Sequence, residues 1–510
     1  MVLRATFSMT VLKTETFCLL FASLLFHIVA GFVGSSTNYP ERSGLGISDL
    51  SRPPCFPRSA LLLAAVPGNR GHKCADDERR GASVRELEAW ARSRGAQFAD
   101  GVSLSRGGGG GENEDDGRGW SVRIGRDAAR GSTILTVPTS LVLCSKDLPD
   151  EVEKALGKRG KRRLDSAGVS QYVLEFRLMV RLLVEWSLGD SSDWQLWISS
   201  LPTEFDTSLY WDDVERMYLS PYVGALADFQ RLQFDAFCAG IRDLAEVYSP
   251  LERLLVENDE DILRWAFSVV FTRSWRSRSG LDATIVPLGD MLNHCEDTEV
   301  EVVDDVEISG SNHEDSNISV AFTLTKSIEE GSEIHLSYGP HSPANFLAVF
   351  GFVDETMTTV PSHVDIPNSQ SIPELVKLGA TKRRKMVYGR DGQISDAVWD
   401  CVLYTTLNGR PDEQAAFYLA AMEGNLAAKA QIHTKYALEI ALSLCAHVEN
   451  LLATYPDPGN PVCSEIIHPR ALLLMRYNEI MRDAYNNVKD RLKGIVQTER
   501  LKRLKMISAD

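Results

Sequence analysis

At 510 residues the chain is too long for one hydrophobic core and calls for two or three domains. Its 44% hydrophobic and 24% charged content is ordinary for a soluble globular protein, and a net charge of -16 argues against a nucleic-acid binder, which normally carries a basic face. Nine scattered cysteines with no Cys-x-x-Cys read as reduced thiols, not as a zinc cluster or a disulfide frame.

The amino end reads as an address. Arg4 and Lys13 precede an apolar run over 17–33, broken only by Ser23 and His27, and the small residues Gly34, Ser35 and Ser36 follow. That pattern is a cleaved secretory signal or a short membrane anchor. The tract up to about residue 75 holds few acids (Glu41, Asp49) and several arginines (Arg42, Arg52, Arg58, Arg70), like a transit peptide. Signal followed by transit tract is the two-part address of plastids with extra membranes. The alternative is a secretory or membrane-tethered protein.

Folded sequence starts at 83, where Val84, Leu87, Trp90 and Ala91 recur at helical spacing. Ser83 caps this helix and Gly95 ends it. Residues 107–119, rich in glycine and acids, read as a flexible loop. Between 120 and 142, Ser121-Val122-Arg123-Ile124 and Ile134-Leu135-Thr136-Val137-Pro138 alternate like the two strands of a hairpin. Residues 147–272 read as helices. Val173, Phe176, Val180 and Leu183 form one stripe, and Leu174, Leu178 and Leu182 another, so that helix is buried on two sides. The aromatics here, Trp194 and Trp197 included, read as core. A further helix ends at Phe271-Thr272-Arg273.

Two short pieces then carry the chemistry. The first, Ile285-Val286-Pro287-Leu288-Gly289-Asp290-Met291-Leu292-Asn293-His294, ends an apolar run in a polar pair. The second, Glu333-Ile334-His335-Leu336-Ser337-Tyr338-Gly339, puts a tyrosine at a strand end, where a glycine lets the chain turn. It continues through Phe346 to Phe350-Gly351-Phe352-Val353. A tyrosine beside an Asn-His pair suits a site that holds a polar ligand and aligns a small transfer. Between the pieces, 295–316 carries nine acidic residues, a solvated hairpin tip that could also attract a lysine-rich segment. From about 370 onward the pattern is helical, with one helix over 437–452 and a long one marked by Leu473, Tyr477, Ile480, Ala484, Val488, Leu492 and Ile495.

In order and spacing, Arg273, Asn293-His294, Tyr338 and Gly351-Phe352 resemble the SET-domain protein lysine methyltransferases of the Rubisco large-subunit methyltransferase branch. The likeness runs over about 80–505 and is strongest over 260–353. It implies an α+β fold: a SET domain of short strands, β-clip-like and pseudoknotted, over 80–353. A helical insert would occupy about 147–272, and an all-helical substrate-binding domain 354–510. The implied cofactor is S-adenosylmethionine, and the implied partner a protein bearing the target lysine, a plastid protein such as Rubisco or aldolase. Neither metal nor nucleic acid is called for, and the chain would act as a monomer.

The resemblance also assigns roles. Tyr338 orients the methyl group and the amine. Asn293, His294 and Arg273 hold the donor, Arg273 against its carboxylate, where a guanidinium can form two parallel bonds. Phe352 packs on the adenine, while Phe350 and Trp275 line the substrate channel. In the glycine loop Gly117-Arg118-Gly119 looks like the expected Gly-x-Gly, but the distance to Arg126-Asp127 fits better if Gly119-Trp120-Ser121 fills that role, so donor contacts there stay open. A related branch methylates a histidine of actin, with an asparagine and a tryptophan where this chain has Trp275 and Gly289. An apolar wall in place of an amide favours lysine. The other alternative is a SET fold kept as a non-catalytic adaptor.

Overall fold

Ser83 accepts a hydrogen bond from the Glu86 N–H at 3.2 Å, and the Glu86 carboxylate accepts one from the Ser83 N–H at 2.9 Å. This reciprocal box opens helix α1 (Val84–Ser93), as the sequence predicts. Gly95 ends it at φ +93°, a conformation residues with a Cβ avoid. The computed structural model describes residues 83–106, 119–277, 279–307, 318–382, 384–456 and 469–507. The address-like residues 1–75, nearly all of the glycine tract and the far half of the acidic tract lie outside the described residues.

Five strands follow: β1 (Gln97–Phe98), β2 (Val102–Arg106), β3 (Trp120–Ile124), β4 (Thr133–Pro138) and β5 (Leu143–Cys144). After the helical block come β6 (Trp275–Arg276), β7 (Ala283–Ile285), β8 (Asn293–His294), β9 (Val300–Glu307), β10 (Ile318–Leu324) and β11 (Glu333–Leu336). They form two four-stranded sheets, in the orders β1-β4-β10-β9 and β2-β3-β11-β8, and a three-stranded one, β5-β7-β6. The expected hairpin of 121–124 with 134–138 is therefore corrected. Both segments are strands, but β3 pairs with β2 and β11, and β4 with β1 and β10. Apolar matching decides this. Val122 and Ile124 lie opposite Leu104 and Val102, while Leu135 and Val137 lie opposite Phe322 and Val320. All eight are buried, and shifting either strand by one residue would turn its apolar side to solvent.

Within the helical block, α2 (Val173–Leu188) buries Phe176, Leu178, Val180, Leu182 and Leu183, members of both expected stripes. Its Phe176 meets Phe237 of α3 (Pro221–Ala245) edge-on at 5.1 Å. Phe237 in turn lies 5.4 Å from Phe267 of α4 (Ser249–Arg273). This aromatic core fixes α4, whose last residue is Arg273.

Beyond Val353 a two-stranded antiparallel sheet pairs β12 (Thr359–Pro361) with β13 (Val387–Gly389), and helices complete the chain. They include α5 (Asp396–Thr406), α6 (Pro411–Met422), α7 (Leu426–Ala453) and α8 (Pro469–Ile507). Helix α8 buries Tyr477, Ile480, Ala484, Val488 and Leu492 along one side. It is tied back to the rest by Arg470 on Asp206 (3.1 Å), Asn478 on the Tyr218 carbonyl (2.6 Å) and Tyr485 on the Pro361 carbonyl (3.0 Å). The α+β class and the helical carboxy-terminal region are as the sequence predicts.

Candidate active site

Strand β8 runs parallel to β11, with Asn293 beside His335 and His294 beside Leu336. Parallel neighbours require a crossover, supplied here by β9 and β10. Tyr338 follows β11 and is bonded to the 292–294 stretch at two points. Its backbone N–H donates to His294 Nδ1 at 3.1 Å, and its hydroxyl donates to the Leu292 carbonyl at 2.9 Å. Other rings gather on this pair. Phe346 and Phe352 lie 4.5 and 5.8 Å from the His294 ring, and Phe350 lies 5.5 Å from Tyr338.

Gly351 makes this convergence possible. It has φ +77°, and a Cβ there would stand 2.9 Å from the Asp206 backbone carbon. With no side chain it lets the chain reverse between Phe350 and Phe352, so both rings reach Tyr338.

Asn293 precedes His294 on β8, so its side chain turns to the other face. Its Nδ2 donates to Glu333 Oε1 at 2.6 Å and to the Trp120 carbonyl at 3.2 Å. The Asn-His pair thus touches the Gly119-Trp120-Ser121 stretch, 173 residues earlier. Glu333 Oε1 is also 3.8 Å from His335 Nε2, and His335 Nδ1 is 3.1 Å from Glu299 Oε2. Burial pushes the Glu299 carboxyl up, but the His335 ring and backbone, with Lys326 nearby, hold it below its ordinary range.

Arg273 meets the turn at Gly289–Met291. Its Nη1 donates to the Asp290 carbonyl at 2.9 Å and to Asp290 Oδ2 at 3.0 Å. The Asp290 side chain is fully buried, and Trp197 Nε1 lies 3.4 Å from both its oxygens. Burial raises the Asp290 carboxyl above its ordinary range, and Arg273 and Trp197 offset this only in part. The guanidinium expected to meet a donor carboxylate is thus partly committed, although its buried Nε has no hydrogen-bond partner among the described residues. Just before the turn, buried Leu288 takes φ +73°, a strained conformation for a branched side chain.

Trp275 takes a different position from the other site candidates. Its ring meets Phe322 edge-on at 6.4 Å and is not among those packed about Tyr338. Phe322 also fills the space over Gly289, where a Cβ would lie 2.2 Å from Phe322 Cζ.

Three further residues join the site, Phe346 from within the second motif and Asp354 and His341 with no signal in the sequence. Phe346 packs closest on His294. Asp354 is 8% exposed, and its Oδ2 is 3.6 Å from His294 Nε2. Because Nδ1 of His294 accepts, a neutral ring carries its proton on Nε2, facing that carboxylate. Burial pushes Asp354 up, but His294 and Thr356 more than offset it and hold it low. His341 lies between Phe346 (5.7 Å) and Phe350 (5.0 Å), and burial pushes its imidazole down to about 4.

That depression predicts a pH effect. The unfolded chain takes up a proton at the ordinary 6.5, which the folded His341 refuses until about 4. Its contribution is present above pH 6.5 and lost as pH falls through that window, on the order of 3 kcal/mol. Asp354 and Glu299 shift stability in the same direction, so the comparison is with His341→Gln. Urea unfolding at pH 7 and pH 4.5 should show a weaker pH dependence in the variant. Equal dependence would contradict the assignment.

In class, the chain resembles the SET-domain protein methyltransferases, through the motifs that meet at Tyr338 and His294. No protein-family model matches it. Among named proteins it is similar to the actin-histidine N-methyltransferase of Xenopus tropicalis, 26% identical over 298 residues, 56% of this chain and 46% of that protein. The Homo sapiens enzyme of that name is 26% identical over 247 residues, covering 46% of this chain and 38% of its own. The chain thus spans less than half the length of these curated relatives. Among solved structures it is similar to a SET domain of LSMT bound to lysine and AdoHcy, with TM-score 0.49, 16% identity and coverage of 83% and 92%. Rubisco LSMT bound to AdoMet gives TM-score 0.47 and 16% identity, with coverage of 83% and 95%.

Proposed function

We propose that the chain is an S-adenosylmethionine-dependent protein methyltransferase acting on a lysine side chain. The observation that carries this is the Tyr338 phenol, bonded to the Leu292 carbonyl amid the rings of His294, Phe346, Phe350 and Phe352. Aromatic faces suit a sulfonium cation. The unpartnered Arg273 Nε gives a carboxylate an acceptor's place. Asn293, His294 and Arg273 would hold the donor, with Phe352 against its adenine and Phe350 along the substrate channel.

When bound, the donor supplies a methyl group on a positively charged sulfur. The residues of the chain must deliver a neutral amine to it. Free lysine has a pKa near ~10.4, so about one in a thousand or fewer is neutral at pH 7, a shortfall on the order of 4–5 kcal/mol. Burial among Tyr338, Phe346 and Phe350 favours the neutral form. His341, at about 4, is too weak a base to take the ammonium proton. The Tyr338 hydroxyl spends its hydrogen on Leu292, so toward an amine its oxygen acts as acceptor, fixing the nitrogen by its N–H. Orientation and desolvation do the work.

The curated relatives favour a second reading, transfer to histidine. Against it stands Trp275 at the place where that branch has an asparagine: an indole has one N–H donor and no acceptor, whereas an amide has both. Incubation of the purified chain with methyl-labelled donor and a plastid extract, then hydrolysis of the labelled protein, separates them. Label in methyl-lysine supports the proposal, label in methylhistidine replaces it, and no label leaves the adaptor reading. The plastid address of 1–75 belongs to the same proposal. A fluorescent protein fused behind those residues should enter plastids, and retention in the secretory pathway would refute that part.

A further inference from the structure

Resting on that reading, we infer that Glu333 is a positioning residue for donor binding: it fixes which end of the Asn293 amide faces the donor. An asparagine amide has a donor end and an acceptor end of nearly equal shape, and only its surroundings choose between them. Here Nδ2 donates to two acceptors, Glu333 Oε1 at 2.6 Å and the Trp120 carbonyl at 3.2 Å. Turning the amide over would set its oxygen against a carboxylate and a carbonyl together. Both N–H groups are therefore used, and Asn293 presents Oδ1 as an acceptor to what it binds.

The two holds are unequal. The Trp120 carbonyl is the longer contact and uncharged, whereas the Glu333 bond is short and charge-assisted. Glu333 is itself held. It opens β11 opposite Arg123 of β3, and its Oε1 lies 3.8 Å from His335 Nε2. Glu299 accepts from the His335 backbone N–H at 2.9 Å and lies 3.1 Å from its Nδ1. Lys326 Nζ is 3.4 Å from Glu299 Oε1 and 3.2 Å from Asp297. A line of polar contacts thus runs from Lys326 through Glu299, His335 and Glu333 to Asn293. Glu333 reaches the site by its bond with Asn293 and acts through it.

The test is calorimetric titration of the full chain with S-adenosylmethionine, for wild type, Glu333→Ala and Glu333→Gln, with thermal unfolding of each. Glu333→Ala leaves the amide held by the Trp120 carbonyl alone, and donor Kd should rise about tenfold or more while the melting temperature stays near wild type's. Glu333→Gln keeps an acceptor oxygen toward Nδ2 and should restore Kd to within about twofold of wild type. Wild-type affinity in Glu333→Ala overturns the inference. So does a Glu333→Gln as weak as Glu333→Ala, since charge and not orientation would then matter. If wild type itself takes up no donor, the proposed function fails and this inference with it.

Discussion

Asp290→Ala is expected to destabilise the protein by about 3–5 kcal/mol, as removal of one partner from a buried ion pair generally does. The Asp290 side chain is wholly out of water, and that of Arg273 is only 15% exposed. With the carboxylate gone, the guanidinium keeps its charge in a site that offers it the Asp290 carbonyl and little else. Trp197 Nε1 also loses its acceptors. The pair need not stabilise the fold relative to an apolar one, since burial already works against the ionised carboxyl. A double variant, Arg273→Met with Asp290→Leu, should therefore recover much of the loss. Equilibrium urea unfolding decides the matter. A cost for Asp290→Ala under about 1 kcal/mol would contradict the pairing.

The second large effect falls on activity. Tyr338→Phe should reduce methyl transfer on the order of 100-fold or more, as loss of one oriented polar group at a reaction centre typically does. The ring stays, so its contacts with His294, Phe350 and Phe352 persist. What goes is the oxygen and its bond to the Leu292 carbonyl, about 1 kcal/mol of stability. The variant should fold and bind donor within a few-fold of wild type yet transfer slowly. Transfer at the wild-type rate would remove Tyr338 from the mechanism.

Much of this architecture is legible where the cause is local. Ser83, Glu86 and Gly95 lie within thirteen residues, and their capping chemistry sets α1 without outside help. The apolar stripes of α2 and α8 are visible for the same reason. Strand partners are not local: β3 meets β2 and β11 because buried faces must match across the chain, which alternation within 121–138 cannot reveal. Helix α7 begins at Leu426, well before the expected 437, because its first turns are mostly exposed and show no stripe. Its start is set by Asn425, which accepts from the Ala428 N–H at 3.1 Å.

The site divides in the same way. Tyr338, His294, Phe350 and Phe352 lie in recognisable motifs, and they do converge. His341, Asp354 and Glu333 matter through what the fold sets beside them, and nothing in their neighbours along the chain signals it. Trp275 shows the opposite limit. Its place in the motif suggests a channel position, and the fold sets its ring edge-on to Phe322, a partner the motif does not announce.

The measurement that bears most directly on the central claim is equilibrium titration of the purified chain with S-adenosylmethionine. Saturable uptake of one donor per chain, weakened by substitution of Asn293 and retained in Tyr338→Phe, is the predicted result. A chain that folds, unfolds cooperatively and takes up no donor would contradict it.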